Sequence, residues 1–80
     1  MRLLVRLYAS LDRYQPVGRD SRSFSEVEVS EGTTVGDLLK TLHVPPDTVK
    51  LIFLNGIHAE SDQILKEGDR LGVFPPVAGG

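Results

Sequence analysis

The residues best suited to chemistry are the last seven of the printed sequence, Phe74-Pro75-Pro76-Val77-Ala78-Gly79-Gly80. The two prolines favour an extended stem, and the four residues after them can reach at most roughly 13–14 Å further. Glycine has no Cβ, so a carboxylate on Gly80, next to Gly79, can enter a narrow pocket and be approached from either side. We therefore interpret the C-terminal carboxylate as the reactive group.

A terminal carboxylate supports two related reactions. Its oxygen can attack the α-phosphate of ATP and expel pyrophosphate, which gives an acyl-adenylate that a nucleophile can open. A sulfide or persulfide would yield a thiocarboxylate, so that a chain without cysteine could carry sulfur on its main chain. An amine would yield an isopeptide bond. The residue types leave both outcomes open.

The rest of the chain shows no competing chemistry. It contains no GxGxxG, GKS/T, HExxH or CxxC motif. His43 is predicted at a helix end, where an imidazole favours the dipole, and His58 is predicted to be an exposed strand residue. We expect no active site, no metal site and no bound cofactor in the body of the domain, and therefore a protein that is not itself an enzyme.

Length and composition limit the classes of protein to which this chain can belong. Eighty residues, 40% of them hydrophobic and 25% charged, predict one domain near the lower size limit for independent folding. The longest apolar run is far shorter than the roughly 18 residues of a membrane span, and the N-terminus lacks the apolar core of a signal peptide. We expect a cytoplasmic protein that does not bind membranes.

The charge is unevenly distributed. The formal net charge is −2, but five arginines and two aspartates give residues 1–22 a charge of +3, and the remainder carries −5. A mildly acidic chain is a poor candidate for nucleic-acid binding, which requires a dominant basic face. The arginines form either a solvated surface or a local basic patch for an acidic partner.

Hydrophobic periodicity predicts two strands in the first part of the chain. Residues alternate from Met1 to Ala9, which indicates a strand with one buried face. Ser10 to Arg22 is polar and predicts a long connection with one helical turn around Leu11–Tyr14. Alternation resumes from Phe24 to Ser30, which predicts a second strand antiparallel to the first.

The pattern then changes to helical spacing. Apolar residues recur at positions i, i+3, i+4 and i+7, namely Val35, Leu38, Leu39 and Leu42. Thr34 is the predicted N-cap, and Asp37 favours the positive end of the helix dipole. The proline pair Pro45-Pro46 is expected to stop a helix of about ten residues.

The last part of the chain is predicted to form three strands. Val49–Leu54 predicts the third strand, and Asn55-Gly56 is a strong signal for a tight hairpin turn. Ile57–Ala59 would be a short returning strand, Ser61–Leu65 a turn of helix, and Arg70–Phe74 the final strand.

This order predicts an α+β fold, a mixed sheet of four to five strands with one main helix across one face. The first and last strands are expected to pair centrally and in parallel. The predicted domain covers residues 1–74, and residues 75–80 form an extended flexible tail.

The face of the sheet away from the helix is a candidate partner surface. Alternation in the third strand predicts that Lys50, Ile52 and Leu54 point away from the helix, together with Leu4 and Phe74. An uncovered apolar patch of this kind marks an interaction site, unless loops or long side chains cover it.

The tail resembles the C-terminal signature of MoaD/ThiS-family sulfur carriers, especially the small subunit of molybdopterin synthase. Three further segments are similar to that family: Val35-Gly36-Asp37-Leu38-Leu39, Leu54-Asn55-Gly56 and the stretch from Leu65 to Leu71. The resemblance covers essentially the whole chain and implies a β-grasp, ubiquitin-like fold.

The resemblance also implies a function. An E1-like enzyme would use ATP to adenylate Gly80, which is then converted to a thiocarboxylate, with Gly79 as the slender neighbour that allows entry. The sulfur would pass to a pterin precursor held by the large subunit of molybdopterin synthase, so this chain would act as that enzyme's small subunit. We expect these partners to contact one set of residues: Phe74, Pro75, Pro76, Val77, Ala78, Leu4, Ile52 and Leu54.

Several alternatives stay open. Members of the same family serve thiamine thiazole synthesis, tRNA thiolation and cysteine synthesis, and some are ubiquitin-like protein modifiers. The FPPVAGG ending favours the molybdopterin type. A plain binding module, such as a regulatory RNA-binding domain, is the alternative from a different class, and the acidic composition argues against it.

Overall fold

The computed structural model describes residues 1–15 and 24–76, and its elements are as follows. The strands are β1 (Arg2–Leu7), β2 (Ser25–Glu28), β3 (Leu51–Leu54), β4 (Ile57–His58) and β5 (Arg70–Phe74), and the α-helix is α1 (Val35–Thr41). Two 3₁₀ helices cover Ala9–Tyr14 and Pro46–Thr48. The described residues therefore form an α+β unit, as predicted.

The five strands form one mixed sheet in the order β2-β1-β5-β3-β4. β1 and β5 lie at its centre and run parallel, whereas the other neighbouring pairs are antiparallel. The predicted central pairing of the first and last strands is confirmed. It places the end of β5, and so the start of the tail, in the middle of the sheet rather than at an edge.

The helix α1 begins as predicted but ends early. Thr34 and Asp37 form a capping box, in which the Asp37 backbone N–H donates to Thr34 Oγ1 at 3.1 Å and the Thr34 N–H donates to Asp37 Oδ2 at 3.2 Å. The expected length of about ten residues was wrong, because His43 adopts a left-handed conformation with φ of 65°. The Val44 N–H donates to the Leu39 carbonyl, and the turn closes as a Schellman motif before the prolines.

The core lies between α1 and one face of the sheet. Its buried residues are Leu3, Val5, Leu7, Leu11, Val35, Leu38, Leu39, Val44, Ile52, Leu65, Leu71 and Val73. The buried Gln15 side chain bonds to the β1 backbone, accepting from the Leu7 N–H at 2.7 Å and donating to the Val5 carbonyl at 2.8 Å. One side chain thus satisfies a buried stretch of strand edge.

The predicted helical turn at Ser61–Leu65 is not present. The backbone of this segment instead accepts hydrogen bonds from the start of α1, with Val35 N–H donating to Gln63 O and Gly36 N–H to Ser61 O. These bonds satisfy N–H groups that a helix leaves unpaired at its first turn, and they fasten the segment to the helix.

Two predicted features fall partly outside the described residues. The helical turn near Leu11–Tyr14 is confirmed by the longer 3₁₀ helix Ala9–Tyr14, but the rest of the connection, including Arg19 and Arg22, lies outside them. The tail residues 77–80 also lie outside them. Within the ranges 1–15 and 24–76, no helix is long and apolar enough to cross a membrane.

Candidate functional site

The base of the tail is fixed by its neighbours in the sheet. The Tyr8 N–H donates to the Val73 carbonyl at 2.9 Å, and the Lys50 N–H donates to the Phe74 carbonyl at 2.8 Å. Pro75 and Pro76 have no N–H to donate, so regular pairing must end here. The predicted stem therefore starts from a strand held on both sides. The roles predicted for Val77, Ala78, Gly79 and Gly80 stay predictions, because these residues lie outside the described ranges.

A row of aromatic rings surrounds the last residue of β5 on the sheet face opposite α1. The ring of Phe74 stacks on Tyr8 with centroids 4.0 Å apart and planes at 10°. It also meets Phe53 edge to face at 5.7 Å. The Arg6 guanidinium lies 4.4 Å from the centroid of the Tyr8 ring. These contacts orient the rings and stabilise the residue from which the tail departs.

An open cleft of about 410 Å³ lies within this face. Its lining includes Tyr8, Phe53, Gly72 and Phe74. A Cβ on Gly72 would lie 3.3 Å from Tyr8 Cε2, so the glycine leaves room for the tyrosine ring. The cleft therefore combines aromatic rings with the polar residues Asn55 and Arg70.

Two residues predicted for this face point the other way. Ile52 is paired with Val73 and Leu54 with Leu71, and those two β5 residues are fully buried against α1. Ile52 is itself in the core, with 8% of its surface exposed, and Leu54 packs against the core. The predicted orientation of Ile52 and Leu54 was wrong, because paired residues on adjacent strands share a face.

Leu51 and Phe53 occupy the outer face in their place. Leu51 pairs with Phe74 and is 40% exposed, and Phe53 pairs with Gly72. Leu4 is confirmed on the outer face, since it pairs with Arg70, two residues before Gly72 on β5. We define the outer patch as Leu4, Tyr8, Leu51, Phe53 and Phe74. Leu51 and Phe53 are assigned to the outer face by the register in which β3 pairs with β5. The alternating pattern of the sequence does not predict that register.

Polar contacts hold the edge of the outer patch. The Asn55 amide donates to Asp69 Oδ1 at 2.9 Å, and its oxygen accepts from the Arg70 N–H at 3.0 Å. The Arg70 guanidinium in turn lies 5.3 Å from the centroid of the Phe24 ring. Arg6 and Arg70 thus each lie against an aromatic ring at this face of the sheet. Among residues 1–15 and 24–76, no group of three His, Asp or Glu side chains is arranged to hold a metal ion.

Comparison with protein families gives a match over almost the whole chain. The model of the ThiS family matches residues 7–80. The chain belongs to the ThiS family. This family comprises ubiquitin-like sulfur carriers, and the resemblance seen in the sequence is confirmed. The five-stranded mixed sheet with one main helix is accordingly a ubiquitin-like β-grasp.

Solved structures with the same fold support this assignment. A putative molybdopterin converting factor subunit 1 from Pyrococcus furiosus is 27% identical to this ThiS-family chain, with a TM-score of 0.70 over 96% of this chain and 99% of the other. The small archaeal modifier protein 1 of H. volcanii is 25% identical, with a TM-score of 0.69 and coverage of 95% and 98%.

A third structure shows the fold alone. It is a protein–protein complex of subunits 1 and 2 of the molybdopterin-converting factor from Helicobacter pylori, 21% identical, with a TM-score of 0.60 and full coverage of both chains. No curated protein matches the ThiS-family chain significantly in sequence.

Proposed function

We propose that this protein carries sulfur as a thiocarboxylate on Gly80 and donates it in the biosynthesis of molybdopterin, the organic part of the molybdenum and tungsten cofactors. An E1-like enzyme that uses ATP would be its first partner, and the large subunit of a molybdopterin synthase its second. The chain itself would act as a carrier in the cytoplasm and would bind no cofactor.

The observation that carries the proposal is that Phe74, a residue of the outer patch, directly precedes the tail. Phe74 stacks on Tyr8 in the patch, and its carbonyl is the last that β5 gives to the sheet before Pro75. When an enzyme binds the outer patch, the start of the tail therefore lies at a defined distance and direction from the bound surface. Fixing the start of the tail limits the space that its end must search, which would reduce the entropic cost of bringing Gly80 to a nucleotide.

The proposed conversion of the Gly80 carboxylate to a thiocarboxylate has two main steps, adenylation and attack by sulfur. A carboxylate oxygen of Gly80 attacks the α-phosphorus of ATP, and pyrophosphate leaves. A sulfide or enzyme-bound persulfide then attacks the carbonyl carbon, the bond to the AMP oxygen breaks, and AMP leaves. In the persulfide case, a thiol must reduce the resulting acyl disulfide to release the thiocarboxylate. Neither step requires a side chain of this protein, in line with a family whose small carriers are not themselves catalysts.

Two solved structures and the sequence of the tail support the proposed molybdopterin role. The P. furiosus protein, described as a putative molybdopterin converting factor subunit 1, covers nearly the whole of this chain. The H. pylori complex shows that the fold can seat a subunit 1 on a subunit 2. The apolar stem Phe74-Pro75-Pro76 suits an arm that enters a second protein.

The test is sulfur transfer from the loaded protein. The thiocarboxylated form would be mixed with the large subunit of a molybdopterin synthase and the pterin precursor, and the dithiolene product would be measured by fluorescence after oxidation. We expect one product for every two carriers consumed, since a dithiolene contains two sulfur atoms. Loaded carrier that gives no product, while the synthase is active with its own small subunit, would contradict the molybdopterin role.

The second candidate function is protein modification. The similarity to the small archaeal modifier protein 1 of H. volcanii favours it, at 25% identity over nearly the whole chain. In that case a lysine amine would replace sulfide as the nucleophile. Higher-mass conjugates of a tagged protein in cell extracts, lost on deletion of Gly80, would support this alternative. To distinguish thiazole synthesis, tRNA thiolation and cysteine synthesis, the loaded protein would be mixed with the sulfur acceptor of each pathway. The acceptor that takes up sulfur would identify the pathway.

A further inference from the structure

A groove of about 430 Å³ lies on the opposite side of the sheet from the outer patch. It runs between α1 and the β3–β4 hairpin. Its apolar lining includes Leu39, Val44 and Ile52, and its polar lining includes Lys40 and Lys50. We call this surface the helix-side groove.

The least buried residues of the hydrophobic core lie at this groove. Most core residues have at most 2% of their surface exposed. The three exceptions are Leu39 at 7%, Val44 at 4% and Ile52 at 8%, and all three line the groove. The least buried residues of the core therefore form the floor of the groove, a feature that suits the binding of another apolar group.

The charge at the groove has the opposite sign to that of the chain. Two of the three lysines, Lys40 and Lys50, line it, although the protein carries a net charge of −2. Among the described residues, neither ammonium group has a carboxylate within salt-bridge distance. The one acidic residue in the lining, Glu60, lies 3.9 Å from His58. The groove therefore offers two positive charges to an approaching anion.

The walls of the groove are fixed by backbone hydrogen bonds. The Ala59 N–H donates to the Ile52 carbonyl at 2.8 Å, and the Gly36 N–H donates to the Ser61 carbonyl at 2.8 Å. At the other end of α1, the Val44 N–H donates to the Leu39 carbonyl at 2.9 Å. A groove whose walls are already ordered binds a ligand with a smaller entropic cost.

We propose that the helix-side groove binds a short apolar peptide segment of a partner protein, flanked by aspartate or glutamate. Apolar side chains of the segment would cover Leu39, Val44 and Ile52, and its carboxylates would pair with Lys40 and Lys50. The site is separate from the outer patch and goes beyond the proposed sulfur chemistry. Lys50 also sits beside Phe74 in the sheet, so this partner would lie next to the start of the tail. Both surfaces can be occupied together.

The test is a titration followed by NMR of the methyl groups of Leu39, Val44 and Ile52. The probe is the synthetic peptide acetyl-Glu-Glu-Leu-Val-Leu-Glu-Glu-amide, and the control peptide has lysine in place of every glutamate. We expect saturable shifts of these methyl signals with the acidic peptide only. The double variant Lys40→Glu/Lys50→Glu should weaken binding at least about fivefold, because it removes two exposed ion pairs and adds repulsion. Lys66→Glu, the lysine outside the groove, should leave the affinity unchanged.

Three results would overturn the proposal. The first is no saturable shift with the acidic peptide in the folded wild-type protein. The second is equal affinity for both peptides, or shifts confined to the outer patch. The third is movement of the same methyl signals on deletion of residues 77–80 alone, which would make the chain's own tail the occupant. None of these measurements involves the activating enzyme, so failure here is separate from failure of the sulfur-carrier function.

Discussion

The ring of Phe74 lies flat against the ring of Tyr8, with 4.0 Å between centroids and 10° between planes. Tyr8 directly follows β1, Phe74 is the last residue of β5, and the Tyr8 N–H bonds to the carbonyl just before Phe74. The stack therefore joins the strand at the N-terminus of the chain to the start of the tail. It fixes the residue that precedes the tail within the outer patch.

Replacing Phe74 with aspartate should weaken docking to the activating enzyme. The change puts a charge at the centre of the outer patch and removes the stack on Tyr8. We expect at least about a thirtyfold loss of affinity, the scale of a binding hot spot. Isothermal titration would measure it, with the fold checked by circular dichroism. Ile64→Asp, at an exposed apolar residue outside the patch, is the matched control. Equal affinity of both variants and the wild type would reject the patch.

Substitutions on β3 should separate its two faces. Ile52→Ala removes core volume and should lower the free energy of unfolding by about 2–4 kcal/mol. Leu51→Ala, one residue away and 40% exposed, should change it by less than about 0.5 kcal/mol while weakening docking. Urea denaturation of both variants measures the difference. A larger loss of stability for the Leu51 variant would show that β3 pairs with β5 in another register.

The buried Gln15 side chain should be needed for stability. Gln15→Ala leaves the buried Leu7 N–H and the Val5 carbonyl without their partner, which should lower the free energy of unfolding by about 1–3 kcal/mol. Arg13→Ala, at an exposed position of the 3₁₀ helix that ends just before Gln15, is the control. Thermal denaturation would measure both. A Gln15 variant as stable as the control would mean that water replaces the amide without cost.

The left-handed residue at the end of α1 offers a stabilising change. His43 has φ of 65°, a conformation that costs most residues roughly 1 kcal/mol and costs glycine little. His43→Gly should therefore raise the free energy of unfolding by up to about 1 kcal/mol. His43→Ala keeps the steric cost and should give no gain. If the glycine variant unfolds at a lower urea concentration than the alanine variant, the left-handed conformation at residue 43 costs less than the added freedom of glycine in the unfolded chain.

Most of the fold follows from short-range patterns in the sequence. The alternation in β1, the helical spacing from Val35 and the Asn55-Gly56 turn predicted the order of elements and the central parallel pair. The start of α1 was also predicted, with Thr34 as the N-cap, and the structure adds the reciprocal bond from the Thr34 N–H to Asp37. The length of α1 was not, because a histidine rather than a glycine takes the left-handed position that ends it.

The sequence alone does not determine which face of β3 is buried. Both alternating sets of this strand contain apolar residues, so the pattern does not say which set is buried. Lys50 suggested that its set faces solvent, but its side chain lines the groove at the margin of the core. Only the register of Ile52 on Val73 resolves the question. The reactive end was assigned from residue types, and the structure adds the position of its base at Phe74.

The most direct measurement is the mass of the C-terminal peptide after incubation with the activating enzyme, ATP and a sulfur donor. A sulfur carrier should show replacement of one oxygen by sulfur, located at Gly80 by fragmentation. The variant that lacks Gly80 should show no change, and Phe74→Asp should load more slowly. An unaltered wild-type mass, with an enzyme that loads another carrier in the same mixture, would contradict the account.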